Sequence, residues 1–380
     1  MVKAAYLHIP FCHHICHYCD FNKVFFQNQP VEAYLEAMDQ EMKQTVSAFP
    51  TKELETIFVG GGTPTALDEK QLEQFLTSIR THLPLANNGE YTFEANPNEL
   101  TKEKLTLLKE YGVNRLSIGV QTFNEELLKT IGRVHTNEEV ERLVKLAKEM
   151  GFSNISLDLM YGLPGQDLEM FHQSIEKALE LDVEHISSYS LIVEPKTVFY
   201  NLMRKGKLHT PSEDDEAKMY GFLMDTLAKS NFNQYEISNF AKSGYESRHN
   251  LTYWDNEEYY GIGAGAHGYV GGVRRSNVAP IKRYMDLVEE KGFAYLDEHV
   301  VTVGEQLEEE MFLGLRKTKG VSKERFAEKF GQSIQSVFGE AITEQAKLGL
   351  LTDEDGYVRL TTKGRFLGNE VFQAFLGIND

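Results

Sequence analysis

The sequence predicts an α/β chain: a partial (β/α)6 barrel followed by a small C-terminal helical, winged-helix-like module. Two patterns support that class. Six strand-like apolar runs alternate with amphipathic segments, and after about residue 305 this alternation gives way to consecutive helices and a hairpin. The strand-like runs are Ala4–Ile9, Glu55–Val59, Tyr91–Glu94, Arg115–Val120, Ile155–Met160 and His185–Val193. Between them, segments such as Val31–Val46, Lys70–Ile79 and Asn137–Met150 place apolar residues at helical spacing. Strands alternating with helices wind as right-handed parallel units, and six units fall short of the eight that close a full barrel. Further on, Glu305–Leu315, Lys323–Phe330 and Ile334–Leu348 read as helices. Leu350–Thr352 and Tyr357–Leu360 then flank the turn sequence Asp353-Glu354-Asp355-Gly356 as a hairpin. The expected division is 1–235 as the barrel core, 236–304 as a segment packed on it, and 305–380 as the appended module.

The only cysteines of the 380-residue chain, Cys12, Cys16 and Cys19, fall in one short loop after the first strand, which Pro10 stops. Such a C-x3-C-x2-C loop offers three soft thiolates to one centre. Structural zinc usually takes four protein ligands. A cubane iron–sulfur cluster held by three thiolates instead keeps one iron open. Two readings compete with it: three buried thiols on one helix face, and zinc completed by His8, His13, His14 or His17. Pro10, Phe11 and those histidines make a poor helix core, and an odd cysteine count in a large chain without a secretory signal disfavours disulfides.

The run Tyr6-Leu7-His8-Ile9-Pro10-Phe11-Cys12 through Cys16-His17-Tyr18-Cys19 resembles the cluster motif of radical S-adenosylmethionine (SAM) proteins. More narrowly, it is similar to the branch that contains oxygen-independent coproporphyrinogen dehydrogenases and HemW-type heme chaperones. The resemblance implies a partial (β/α)6 radical SAM barrel, with a [4Fe–4S] cluster on Cys12, Cys16 and Cys19 and SAM chelating the open iron. In that family, reduction of the cluster cleaves a sulfur–carbon bond of SAM to give a 5′-deoxyadenosyl radical. It further implies that Gly61, Gly62 and Thr63 of Gly60-Gly61-Gly62-Thr63-Pro64 hold the amino-acid end of SAM, where exposed backbone N–H groups grip a carboxylate. Tyr6, Tyr18, Glu94, Gln121, Arg133 and Asp158 match further SAM positions. Asp158 draws attention on physical grounds as well, because an ionised carboxylate within the apolar run Ile155–Met160 needs a partner.

Two features separate the branches. The dehydrogenases carry another cysteine where this chain has Phe21, and an N-terminal extension that is not expected here, since the first strand begins almost at once. The segment His249-Asn250-Leu251-Thr252-Tyr253-Trp254 has the HNxxYW pattern of the chaperones. The resemblance implies that His249, Asn250, Tyr253 and Trp254 handle heme; a neutral imidazole can ligate iron, and aromatic rings suit a macrocycle. The alternative physical reading is a buried aromatic cluster around a hydrogen-bonded histidine. Gly261-Ile262-Gly263-Ala264-Gly265-Ala266-His267 lacks the strand-to-helix setting of a nucleotide loop and is expected to let backbone pack near the active site.

The implied function is therefore a heme chaperone that transfers heme to acceptor proteins, membrane-associated respiratory hemoproteins among the candidates. The rival is oxidative decarboxylation of coproporphyrinogen; cleavage of SAM in normal function is left open, as is homodimerisation. A net charge of −18 argues against general nucleic-acid binding. No apolar run of about 18 residues predicts a transmembrane helix. No basic-then-apolar leader opens the chain, so the expected location is the cytoplasm.

Overall fold

Six parallel strands form the centre of the molecule, whose computed structural model describes residues 1–377. They are β1 (Ala4–Ile9), β2 (Leu54–Gly61), β3 (Leu85–Ala95), β4 (Arg115–Gln121), β5 (Ile155–Tyr161) and β6 (His185–Ser190). Each pairs in parallel with its successor, as expected of consecutive βα units. Each strand returns through a helix, and the strands are apolar because one face meets those helices while the other lines the barrel. Leu7, Val59, Phe93, Ile118 and Leu157 all lie in the principal core. Helix α1 (Val31–Ala48) buries Tyr34, Leu35, Met38 and Met42 against it at helical spacing. Helices α2 (Glu69–His82) and α3 (Asn137–Glu149) both begin with capping boxes, Asp68 with Gln71 and Thr136 with Glu139.

The sheet extends beyond the six units. On the β6 side, β7 (Asn233–Glu236) and β8 (Asn239–Ala241) add antiparallel strands, giving the edge order β6-β8-β7. On the β1 side, β9 (Tyr259–Ile262) pairs in parallel with β1. It is followed outward by β10 (His267–Val270), β11 (Val273–Asn277) and β12 (Tyr295–Val300), all antiparallel. Among the described residues this makes one sheet of twelve strands whose two edge strands are not paired with each other, an open barrel.

Several strand bounds differ from the expectation: β3 begins at Leu85 rather than Tyr91, β2 runs one or two residues longer at each end, and two further ends bear on the site. Strand β6 stops at Ser190 rather than Val193: beyond it the parallel neighbour has also ended at Tyr161, and β8 reaches only as far as Ser187. Residues 191–194 therefore cross the barrel mouth without strand pairing, and Ile192 is left exposed. Strand β4 ends in a register shift against β5, with Gln121 at φ 68°, an uncommon conformation for a non-glycine residue.

The C-terminal part has its own core, built around Leu307, Met311, Phe326, Phe338, Val358 and Phe375. Its helices Val303–Gly314, Lys323–Phe330 and Ile334–Lys347 pack with a three-stranded sheet of Val321–Ser322, Leu351–Glu354 and Tyr357–Leu360. The hairpin turns at Asp355-Gly356, both with positive φ. Short helices Thr362–Phe366 and Gly368–Gln373 add to this module. No described helix is long and apolar enough to cross a membrane.

Candidate cluster and cofactor site at the barrel mouth

Strand β1 delivers the cysteine loop to the C-terminal end of the barrel, the end where βα folds place their chemistry. The loop is pinned at several points. Val24 N donates to the Pro10 carbonyl at 2.8 Å, Phe26 N to that of Cys12 at 2.9 Å, and His17 N to that of Ile131 at 2.9 Å. Parallel pairing sets Ile9 beside Gly61, so the glycine loop after β2 lies against the cysteine loop. Gly62 N donates to the Ile9 carbonyl and Thr63 N to that of Phe11, both at 2.8 Å. A Cβ at Gly62 would approach the Pro10 carbonyl carbon to 2.8 Å and the Cys12 sulfur to 3.0 Å, so only glycine lets the loops close this tightly.

Cys12, Cys16 and Cys19 line one cavity of about 420 Å³. Cys12 is buried and accepts a hydrogen bond from Thr63 Oγ1 at 3.5 Å; burial pushes its thiol up to about 11. Loading metal here must therefore release protons. Among the described residues no three His, Cys, Asp or Glu side chains converge as ligands of a single ion. The three thiols instead face a shared space, a donor set suited to a multi-iron cluster.

The other walls of this cavity carry several polar and titratable side chains. Tyr18, Gly61, Gly62, Thr63, Glu94 and Gln121 line it, together with Arg133, Asp158 and Asn250. Glu94 Oε2 accepts from Gly61 N at 3.1 Å, and burial, then the neighbouring Asp158, push its carboxyl up to about 8. Ser117 donates to both Asp158 oxygens at 3.1 and 3.2 Å, and Ser156 to one at 3.4 Å. Burial raises the Asp158 carboxyl; the Arg115 guanidinium and serine hydroxyls oppose that rise. Arg133 donates to Asn96 Oδ1 at 2.5 Å and to the Tyr18 hydroxyl at 3.3 Å.

The guanidinium Nε atoms of Arg133 and Arg115 are buried without a partner. Unsatisfied donors at a cavity wall, beside a glycine loop and two carboxyls, are what a zwitterionic, multiply polar cofactor would complete. The donor set thus fits both a cluster and SAM. Arg115, Asn96 and Ser117 were not singled out in the sequence. Arg115 is buried and, like Asp158, is a charge on a largely apolar strand, and that is the signal that marks it.

The HNxxYW segment is divided among several places. It forms the helix Arg248–Trp254, capped by Ser247. His249 is 1% exposed, stacks on Phe58, and has both ring nitrogens engaged: Nδ1 with Thr56 Oγ1 and Nε2 with the Tyr253 hydroxyl, each at 2.8 Å. Burial, then Arg115, lower its pKa to about 3, so the imidazole is neutral. Asn250 reaches the cluster cavity, whereas Tyr253 and Tyr6 line a neighbouring cavity. Trp254 lines a third with Arg274 and Phe312, under the Arg316 guanidinium at 4.4 Å.

The chain matches the Radical SAM superfamily model over residues 6–178 and the HemN C-terminal domain model over residues 301–367. Barrel and site together define a radical SAM protein. The chain is 58% identical over 377 residues to heme chaperone HemW of Bacillus subtilis, covering 99% of this chain and all of that one. It is 34% identical to heme chaperone HemW of Escherichia coli, covering 98% of each chain. A solved structure of coproporphyrinogen III oxidase (HemN) from Escherichia coli superposes with a TM-score of 0.87 at 25% identity, covering 98% of this chain and 90% of that one. The chain belongs to the HemW family.

Proposed function

We propose that this chain is a heme chaperone, which binds heme and transfers it to acceptor proteins on a barrel loaded with a [4Fe–4S] cluster and SAM. The observation that carries this reading is the 58% identity, over essentially the full length of both chains, to a protein named heme chaperone HemW. Cys12, Cys16 and Cys19 would hold the cluster. Gly61, Gly62 and Thr63 would take the amino-acid end of SAM, with Tyr18, Glu94, Gln121, Arg133 and Asp158 around the rest and Tyr6 behind them. When bound, the cluster supplies an open iron for SAM and an electron for its reduction. Among the residues themselves, Glu94 is kept protonated by burial and can share its proton, while Arg133 and Arg115 offer free donors. Within HNxxYW, His249 would position Tyr253, whose ring would meet heme, while Asn250 faces the cluster cavity and Trp254 packs under Arg316. The thiols suit a reducing cytoplasm, and the acceptors would include membrane-associated respiratory hemoproteins.

A second reading, oxidative decarboxylation of coproporphyrinogen, is favoured by the likeness to the HemN structure. Against it stands Phe21, 64% exposed at the cavity edge where the dehydrogenase resemblance calls for a cysteine. One reconstituted sample tests both. Titration should give about one heme per chain, and coproporphyrinogen with SAM and reductant should give no protoporphyrinogen above background. Multiple turnovers without heme uptake would put the second reading first.

A further inference from the structure

We propose that the cavity between the cysteine loop and the glycine-rich segment Gly261–Ala266 seats the heme, with His267 as its iron ligand; this rests on the heme-chaperone reading. The cavity measures about 540 Å³ and adjoins the cluster cavity, sharing Asp20 and Phe21 as lining residues. Cofactor-sized ligands occupy pockets of roughly 300–1,000 Å³. Tyr6, Tyr253 and Tyr259 supply aromatic walls, and Phe21 and Leu296 stand 64% and 70% exposed along it. A flat apolar macrocycle is the class of ligand that would cover such residues while leaving its carboxylates in water.

Two imidazoles line this cavity. His8 is engaged inside the protein, Nδ1 with the Tyr6 hydroxyl at 2.9 Å and Nε2 donating to the Asn22 carbonyl at 2.7 Å. His267 is exposed and, among the described residues, makes no side-chain hydrogen bond. An accessible imidazole without an internal partner is a competent heme-iron ligand. The glycines explain how it reaches that wall. A Cβ at Gly261 would lie 2.0 Å from the His267 carbonyl oxygen, so only glycine lets β9 and β10 close and carry His267 to the cavity. Asn22 Nδ2 donates to the Ala264 carbonyl at 2.8 Å and to that of Ala279 at 3.1 Å, bolting the cysteine loop to the same segment. The glycine-rich run thus builds a second cavity against the first, and Tyr253 ties it to His249.

The test titrates heme into the full-length reconstituted parent, His267→Ala and Leu296→Glu, reading the Soret band and electron paramagnetic resonance. Iron-free protoporphyrin IX, followed by fluorescence, serves as the control ligand. His267→Ala should shift the Soret band and weaken heme by about tenfold or more. Added imidazole should restore the spectrum, and affinity for the iron-free porphyrin should stay unchanged. Leu296→Glu should weaken both porphyrins without altering the heme spectrum. Cluster iron content, equal in all three proteins, reports that the fold is kept. If His267→Ala binds heme with the parent's spectrum and affinity, the ligand assignment is overturned. If Leu296→Glu binds both porphyrins like the parent, the cavity assignment is overturned. A parent that takes up no heme overturns the chaperone reading itself, an outcome distinct from these two.

Discussion

Gly62 and Cys16 occupy positions where one added or removed atom group decides whether the cluster loop can form. A methyl group at Gly62 would press on the Pro10 carbonyl and the Cys12 sulfur at about 3 Å, and neither can yield without opening the loop. Gly62→Ala should therefore fold yet retain less than half of the parent's iron and sulfide after anaerobic reconstitution, and Cys16→Ala should lose most of both. Elemental analysis beside circular dichroism checks this; full loading of Gly62→Ala would show that the close approach is dispensable. The cysteines and Asp158 stand out because each breaks the local pattern, a thiol cluster and a charge in an apolar run, whereas the glycine loop and Glu94 are reached through the family resemblance. The setting of His249, a buried aromatic cluster around a hydrogen-bonded histidine, is one of the two readings of its segment, but the sequence does not name its partners. Its partners Thr56 and Phe58 lie almost two hundred residues away, and only strand assembly brings them to it.

Helix α1 does more than cover the sheet. Its Glu41 is buried and accepts from Gly263 N at 2.8 Å, Asn277 Nδ2 at 2.7 Å and Tyr284 Oη at 2.6 Å, joining the helix to the glycine-rich segment, β11 and the helix Ile281–Lys291. Burial pushes its carboxyl up to about 7 from an ordinary 4.5. The folded chain thus keeps a proton that the unfolded chain releases, and stability falls as pH rises between those two values. In denaturant titrations the stability difference between parent and Glu41→Gln should move against the parent by about 1–3 kcal/mol from pH 4.5 to pH 7.5. A difference independent of pH would show that Glu41 is ionised in the fold. At this scale the periodic elements were readable, since helices and strands bury faces of fixed spacing. The early end of β6 and the register shift at Gln121 were not, because both depend on where neighbouring strands stop.

Across the whole molecule, the C-terminal module keeps a separate core yet is clamped to the stretch that follows the HNxxYW helix. Arg325 pairs with Asp255 at 2.8 Å and Glu257 at 3.1 Å, Lys317 pairs with Asp255, and Arg274 forks onto Glu309 at 2.7 Å. These groups are partly exposed, so each pair contributes about 1 kcal/mol or less, but they act together. Lys317→Ala with Arg325→Ala should split calorimetric unfolding into two transitions, the module melting first, with the barrel transition unmoved; a single unshifted transition would show that apolar contacts alone hold the module. The chain's own order of residues determined the class of this protein: alternating periods dictate a βα barrel, and three thiols at one strand end, within a run resembling the radical SAM motif, point to its family. It also determined the appended helices and hairpin, whose turn and caps are local. The tertiary structure alone decided that Tyr6 and Tyr253 share one cavity while Glu94 and Asp158 share another, and that His267 faces solvent where His8 and His249 do not. Periodicity fixes which face a side chain takes on its own element. Its partners, its exposure and its charge state are set by strands and loops far along the chain, whose approach no local pattern encodes.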